Sequence, residues 1–278
     1  DLLRQVVNRE LDHQRLRREA RRVKDLEEEL LGFSRVKAEM ERLGAVESRF
    51  MLTMVHTLRV PVAVLENSLQ LIRKGYVPPQ EQPAFLERAE QRAQELLVIL
   101  DEVLLLSRLK EGLGSALTAP VSVAEALASA LPLLRQEAEA RNMTLSIEDT
   151  ASPVVSGKME YIKALWAHLV NNAIRYTRPG GRITISLKGC PKEGKAIGTV
   201  SDTGIGIATE EIPRIFEEFY RTEAAKSLQE TGTGLGLSIV QQIVARTGGT
   251  IEIDSNPGHG STFCFILPLA GGGSGAAP

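Results

Sequence analysis

Two glycine clusters set about 30 residues apart constrain this chain more than any other feature. The first, SDTGIGI from Ser201 to Ile207, stands where a strand pattern ends. There Asp202 offers a carboxylate able to accept a hydrogen bond from an exocyclic amine. Gly204 and Gly206 remove side chains, so that a planar base can lie against backbone beside Ile207. The second cluster, GTGLGLSIV, leads Gly232, Thr233, Gly234, Leu235 and Gly236 into a helix. Free backbone amides and the positive end of that helix suit phosphate oxygens. A Walker loop would need a Lys and a Ser or Thr directly after the last glycine, and this sequence has neither there. A dinucleotide fold would need a βαβ unit followed by an acidic residue, and none frames these glycines.

The segments around the clusters alternate between helix and strand patterns. Helices are predicted over Val123–Arg141, with Pro132 as an internal kink, over Met159–Tyr176 and over Leu235–Arg246, the last capped by Gly248 and Gly249. Strands are predicted over Thr144–Ile147, Arg182–Leu187, Ile197–Ser201, Thr250–Ile253 and Thr262–Leu267. This set implies an α/β sandwich over residues 121–269, one mixed sheet with helices on one face.

The half before residue 121 is helical by period. From Asp1 to about residue 45 the chain has no proline, and Leu16, Val23, Leu30 and Leu26, Phe33, Met40 recur by sevens, the seam of a parallel coiled coil. Val36, Leu43 and Phe50 are offset by one position, as in a stutter. Two further helices, Val46 to Lys74 and Ala84 to Lys110, flank GYVPPQEQP and form a hairpin over residues 46–112. Leu86, Leu96, Leu97, Leu100, Val103, Leu104 and Leu106 make an apolar stripe wider than one partner helix covers. A dimeric four-helix bundle is therefore expected. Residues 113–120 read as a linker, and AGGGSGAAP, from Ala270, as a disordered tail.

Composition excludes other classes. A formal net charge of -2 leaves no basic footprint for nucleic acid, and the basic run from His13 to Lys24 reads as a solvated helix face. Cys190 and Cys264 stand far apart without a metal-ligand pattern and read as small core residues in a reducing, cytoplasmic compartment. No apolar run approaches the roughly 20 residues that cross a bilayer, so no membrane contact is expected of this fragment. The chain opens inside a helical pattern without a methionine, which suggests an upstream sensor domain absent from it.

With these motifs in order, residues 121–269 resemble the catalytic ATP-binding domain of sensor histidine kinases, within the superfamily that includes gyrase and heat-shock chaperone ATPases. HLVNNAIRYT, His168 to Thr177, is similar to the family's asparagine box. The resemblance implies that Asn172 holds Mg²⁺ bridging the ATP phosphates, with Asn171, Arg175 and Tyr176 beside the nucleotide. It further implies that Asp202 binds the adenine amine, that Gly204, Gly206 and Ile207 line the base, and that Gly232 to Gly236 border the triphosphate. IFEEFYR, carrying Tyr220 and Arg221, resembles the segment before a mobile lid at residues 221–231, and GHGSTF places Thr262 near the base. VHTLRVPV resembles the phospho-acceptor box, with His56 as nucleophile and Arg59 and Pro61 at family positions. A neutral imidazole is a competent nucleophile near pH 7. The implied protein is a homodimer that autophosphorylates His56 from ATP and passes the group to an aspartate of a response-regulator receiver domain.

Three residues depart from the family pattern. Thr57 replaces the acidic residue after the acceptor, and a hydroxyl is no base at neutral pH, so slow phosphorylation is expected. Val60 replaces a small polar residue that helps position water, so weak phosphatase activity is expected. His168 replaces the first asparagine of its box. Two other readings stay open on the sequence: a nucleotide-binding signalling scaffold without catalysis, and an ATP-hydrolysing clamp or serine kinase.

Overall fold

The computed structural model describes residues 50–111, 119–228 and 232–271. The coiled coil expected over residues 1–45, most of the linker, the end of the lid and most of the tail lie outside the described residues. The chain divides between Thr57 and Leu58 into two compact units.

Residues 50–73 are helical (α1), and the helix runs through Pro61. It ends in a Schellman motif, with Gly75 at φ 72°, Gly75 N donating to Ile72 O at 3.0 Å and Tyr76 N to Leu71 O at 3.0 Å. Helix α2, Gln82–Lys110, begins with Pro83 in its first turn, where a missing N–H leaves no helical bond unmade. The hairpin thus matches the sequence reading. Its apolar stripe divides in two. Leu97, Leu100 and Leu104 are exposed, whereas Leu106 and Leu109 are buried where α2 packs on the α/β domain. The α/β domain therefore covers one part of the stripe and leaves the other part exposed.

The α/β domain runs β1 Pro120–Ser122, α3 Val123–Ala140, β2 Thr144–Thr150, β3 Val154–Ser156, α4 Met159–Tyr176, β4 Arg182–Cys190, β5 Lys195–Asp202, α5 Glu223–Ser227, α6 Gly236–Arg246, β6 Thr250–Asn256 and β7 Gly260–Pro268. Five strands form a mixed sheet in the order β2-β4-β5-β7-β6, with β2 and β4 parallel and the other pairs antiparallel. The three-residue strands β1 and β3 pair separately; they are too short to show a period in sequence. α5 falls inside the segment expected to be a mobile lid.

Alternation points Ile183, Ile185, Leu187, Phe263, Phe265 and Leu267 into one buried layer. Against it lies α4, whose Ile162, Leu165, Trp166, Leu169 and Ala173 recur at helical spacing. Trp166 is fully buried, its indole meets Phe265 edge-on with centroids 4.8 Å apart, and its N–H donates to Val123 O at 3.2 Å. Cys190 and Cys264 are free and half-buried rather than core, because they fall on the alternate positions of their strands. Packing this face of α4 on the sheet leaves its other face, with His168, Asn171, Asn172 and Arg175, turned to a cavity.

Candidate functional site

A cavity of about 340 Å³ opens between α2, α4 and the second glycine cluster. α4 contributes His168, Asn171, Asn172 and Arg175, one stripe by helical spacing. The glycine segment contributes Thr233, Gly234, Gly236 and Leu237, and Tyr220 closes one side. Gly234 has φ 73°, and a side chain there would begin 2.6 Å from the carbonyl carbon of Phe219, so only glycine lets the loop pass this close. Arg175 runs alongside Gly232, its Nη1 2.7 Å from where a side chain would begin. Gly236 opens α6 against His168, whose Nδ1 is 3.2 Å from the corresponding point. The Oδ1 of Asn171 is buried in the cavity wall and has no hydrogen-bond partner among the described residues. Such an acceptor costs about 1–3 kcal/mol until a cation or donor reaches it.

A smaller cavity, about 70 Å³, is lined by Tyr176, Ile205, Gly206, Ile207, Thr222, Ala225 and Ser261, and shares Ile215, Tyr220 and Leu237 with the first. Gly206 has φ 66° and packs so tightly on Asn256 O that a side chain would begin 1.9 Å from it. Ser255 Oγ accepts from Ile207 N at 2.9 Å. The buried Ala225 of α5 lines this cavity, whose volume lies far below that of an ordinary ligand pocket.

Burial governs the charges. Asp202 Oδ1 accepts from Gly204 N at 2.8 Å and Ser261 N at 3.3 Å, yet desolvation outweighs both and pushes the carboxyl up to about 6. Its Oδ2 accepts no hydrogen bond from the described residues. His168 is pushed down to about 4, first by burial and then by the Arg175 charge, so it is neutral at pH 7. Glu102, on α2, is raised by burial, against the opposing influence of its Thr233 hydrogen bond and of Arg175.

Not every residue singled out in the sequence reaches a cavity. The Leu235 side chain is fully buried in the core, and its N–H donates to Thr233 Oγ1 at 3.1 Å. Arg221 turns toward α5, its Nη2 donating to Ala225 O at 3.0 Å. The Thr262 hydroxyl pairs with Ser201 at 2.7 Å, and its neighbour Ser261 lines the smaller cavity instead. Asp202 and Gly204 stand outside the lining, held by the bond between them. On α1, His56 and Arg59 are exposed. Thr57 is half-buried, and its Oγ1 donates to Thr53 O at 2.8 Å. Asp101, Glu102 and Leu105 line the main cavity without having carried a motif. Their only signal was a pair of carboxylates opening a leucine run, DEVLLLSRL.

Comparison with known proteins agrees with this architecture. Residues 46–112 match the family described as His Kinase A (phospho-acceptor) domain, and residues 157–271 match Histidine kinase-, DNA gyrase B-, and HSP90-like ATPase. The chain is 30% identical to the circadian input-output histidine kinase CikA of Synechococcus elongatus, over 81% of this chain and 30% of that one. It is also 30% identical to the sensor protein SrrB of Staphylococcus aureus, over 81% of this chain and 39% of that one. It therefore spans well under half the length of these relatives. The fold is shared with the Acinetobacter baumannii histidine kinase AdeS, at TM-score 0.62 and 23% identity over 77% of this chain and 98% of that one. It is shared too with the histidine kinase ThkA in its complex with the response regulator protein TrrA, at TM-score 0.63 and 22% identity over 82% and 63% of the two chains. With a phospho-acceptor hairpin and a histidine-kinase-type ATPase domain joined in this order, the chain belongs to the sensor histidine kinases of two-component systems.

Proposed function

We propose that this chain is an ATP-dependent protein-histidine kinase that phosphorylates His56 and passes the phosphoryl group to an aspartate of a response-regulator receiver domain. The observation that carries the reading is the union, in one chain, of an exposed imidazole in an acceptor box and a cavity walled by Asn171, Asn172, Arg175 and a glycine-rich helix start. In this reading Asp202 takes the adenine amine through Oδ2, and Gly206, Ile207 and Tyr176 flank the base. The Gly232–Gly236 segment and Arg175 hold the phosphates. A ring nitrogen of His56 then attacks the γ-phosphorus, the bond to the β-phosphate oxygen breaks, and ADP leaves. The protein contributes position and charge, as phosphoryl transfer requires.

The unpaired Asn171 Oδ1 and the neighbouring Asn172 suit a hard cation. Asn172 is the residue proposed to hold Mg²⁺, which when bound neutralises phosphate charge. Thr57 spends its hydroxyl on the backbone, which supports slow phosphorylation for want of a carboxylate beside His56. The exposed Val60 offers no polar group to a hydrolytic water. Leu97, Leu100 and Leu104 support a homodimer through the hairpin. The complex of ThkA with TrrA supports a response regulator as partner.

Incubation with γ-labelled ATP and Mg²⁺ tests the reading. Acid-labile, base-stable label is expected on the wild type and none on His56→Gln. A folded wild type that binds ATP but takes no label would mark a signalling scaffold instead.

A further inference from the structure

α2 reaches into the cavity assigned above to the triphosphate. Glu102 Oε2 accepts the Thr233 hydroxyl at 2.6 Å, and its Oε1 lies 3.8 Å from His168 Nδ1. Both Glu102 and His168 are largely shielded from solvent, and Arg175 is near enough to act electrostatically on each. The carboxylate thus occupies donors and positive charge of the kind a phosphate oxygen uses. The Thr233 hydroxyl has one proton, and while it serves Glu102 it serves no ligand. The same hydroxyl accepts from Leu235 N at 3.1 Å, so the contact also fixes the start of the glycine turn into α6.

The rest of the helix makes this placement firm. Leu105, Leu106 and Leu109 continue the face of Glu102 at helical spacing, Leu105 in the cavity wall and the other two buried. Arg246 Nη1 donates to Leu109 O at 3.0 Å, and Lys110 pairs with Glu218.

We propose that Glu102 is an internal latch, a carboxylate of the hairpin that takes the place of a nucleotide phosphate at Thr233 and must be released before ATP binds fully. The inference rests on the ATP reading of the cavity and adds its regulation. A pocket closed by its own carboxylate binds with an affinity reduced by the fraction of molecules in which it is open. Movement of α2 thereby sets nucleotide affinity.

Isothermal titration of the whole chain with Mg²⁺ and a non-hydrolysable ATP analogue tests this, on wild type, Glu102→Ala and Glu102→Gln. Glu102→Ala is expected to bind about five-fold tighter or more, with Glu102→Gln between it and the wild type, since the amide oxygen still accepts from Thr233 without the charge. Hydrogen exchange without nucleotide gives a second reading: the Leu235 amide is expected to exchange faster in Glu102→Ala. Equal or weaker binding by folded Glu102→Ala, or unchanged exchange at Leu235, overturns the latch and leaves the ATP site standing. No binding by any of the three proteins overturns the ATP reading itself.

Discussion

At Asp202 two amides converge on one carboxylate oxygen, and still the carboxyl sits at about 6. Its folded value lies above its ordinary 3.8, so the linkage has a definite sign. The group's contribution to stability is complete below about pH 4 and is lost as pH rises through about 6, when the buried carboxylate ionises. Asp202→Asn removes that charge and keeps an acceptor for Gly204. It is expected to stabilise the nucleotide-free protein at pH 7 by on the order of 2 kcal/mol and to leave it unchanged at pH 4. Under the proposed role of Asp202 as acceptor for the adenine amine, the same substitution leaves an amide with its one oxygen already engaged, and ATP affinity is expected to fall about tenfold or more. Thermal melts at the two pH values, with titration calorimetry at pH 7, check both outcomes. A variant that gains stability while losing its ligand would place Asp202 among residues kept for binding at the expense of folding.

At the scale of elements, the start of α6 concentrates the requirements of the site. Gly234 holds φ 73° against Phe219, which itself has φ 62° and donates its N–H to Gly234 O at 3.0 Å. Gly234→Ala strains the turn and collides with backbone, so a loss of about 1–3 kcal/mol is expected together with loss of ATP binding, measured by chemical unfolding and calorimetry. Much of this was legible in the sequence. The helices and the five main strands follow from apolar period, and both glycine clusters stand at the ends of the predicted elements. What could not be read was local or distant. β1 and β3 are too short to carry a period, and α5 has five residues in a stretch that looks like loop. Glu102 meets Thr233 across 131 positions, a pairing that nothing in either neighbourhood announces. The alternate leucines of α2 read as one surface because sequence records which residues are apolar, not which neighbour covers each.

For the whole molecule, the exposed part of that surface makes its own prediction. Leu97, Leu100 and Leu104 are about half exposed, a grouping that isolated monomers seldom leave in water. Replacing Leu97 and Leu104 together by Glu is expected to halve the particle mass in light scattering. The cavity, built from the other face of α2 and from the α/β domain, is expected to keep binding nucleotide. Ala225 has a further consequence. It lines the smaller cavity from a helix barely longer than one turn, and so short a helix has little stability of its own. On the proposed ATP reading, admission of the base involves unwinding that single coil. On that reading, substitutions in these five residues are expected to change how fast nucleotide enters and leaves, as read by stopped-flow binding.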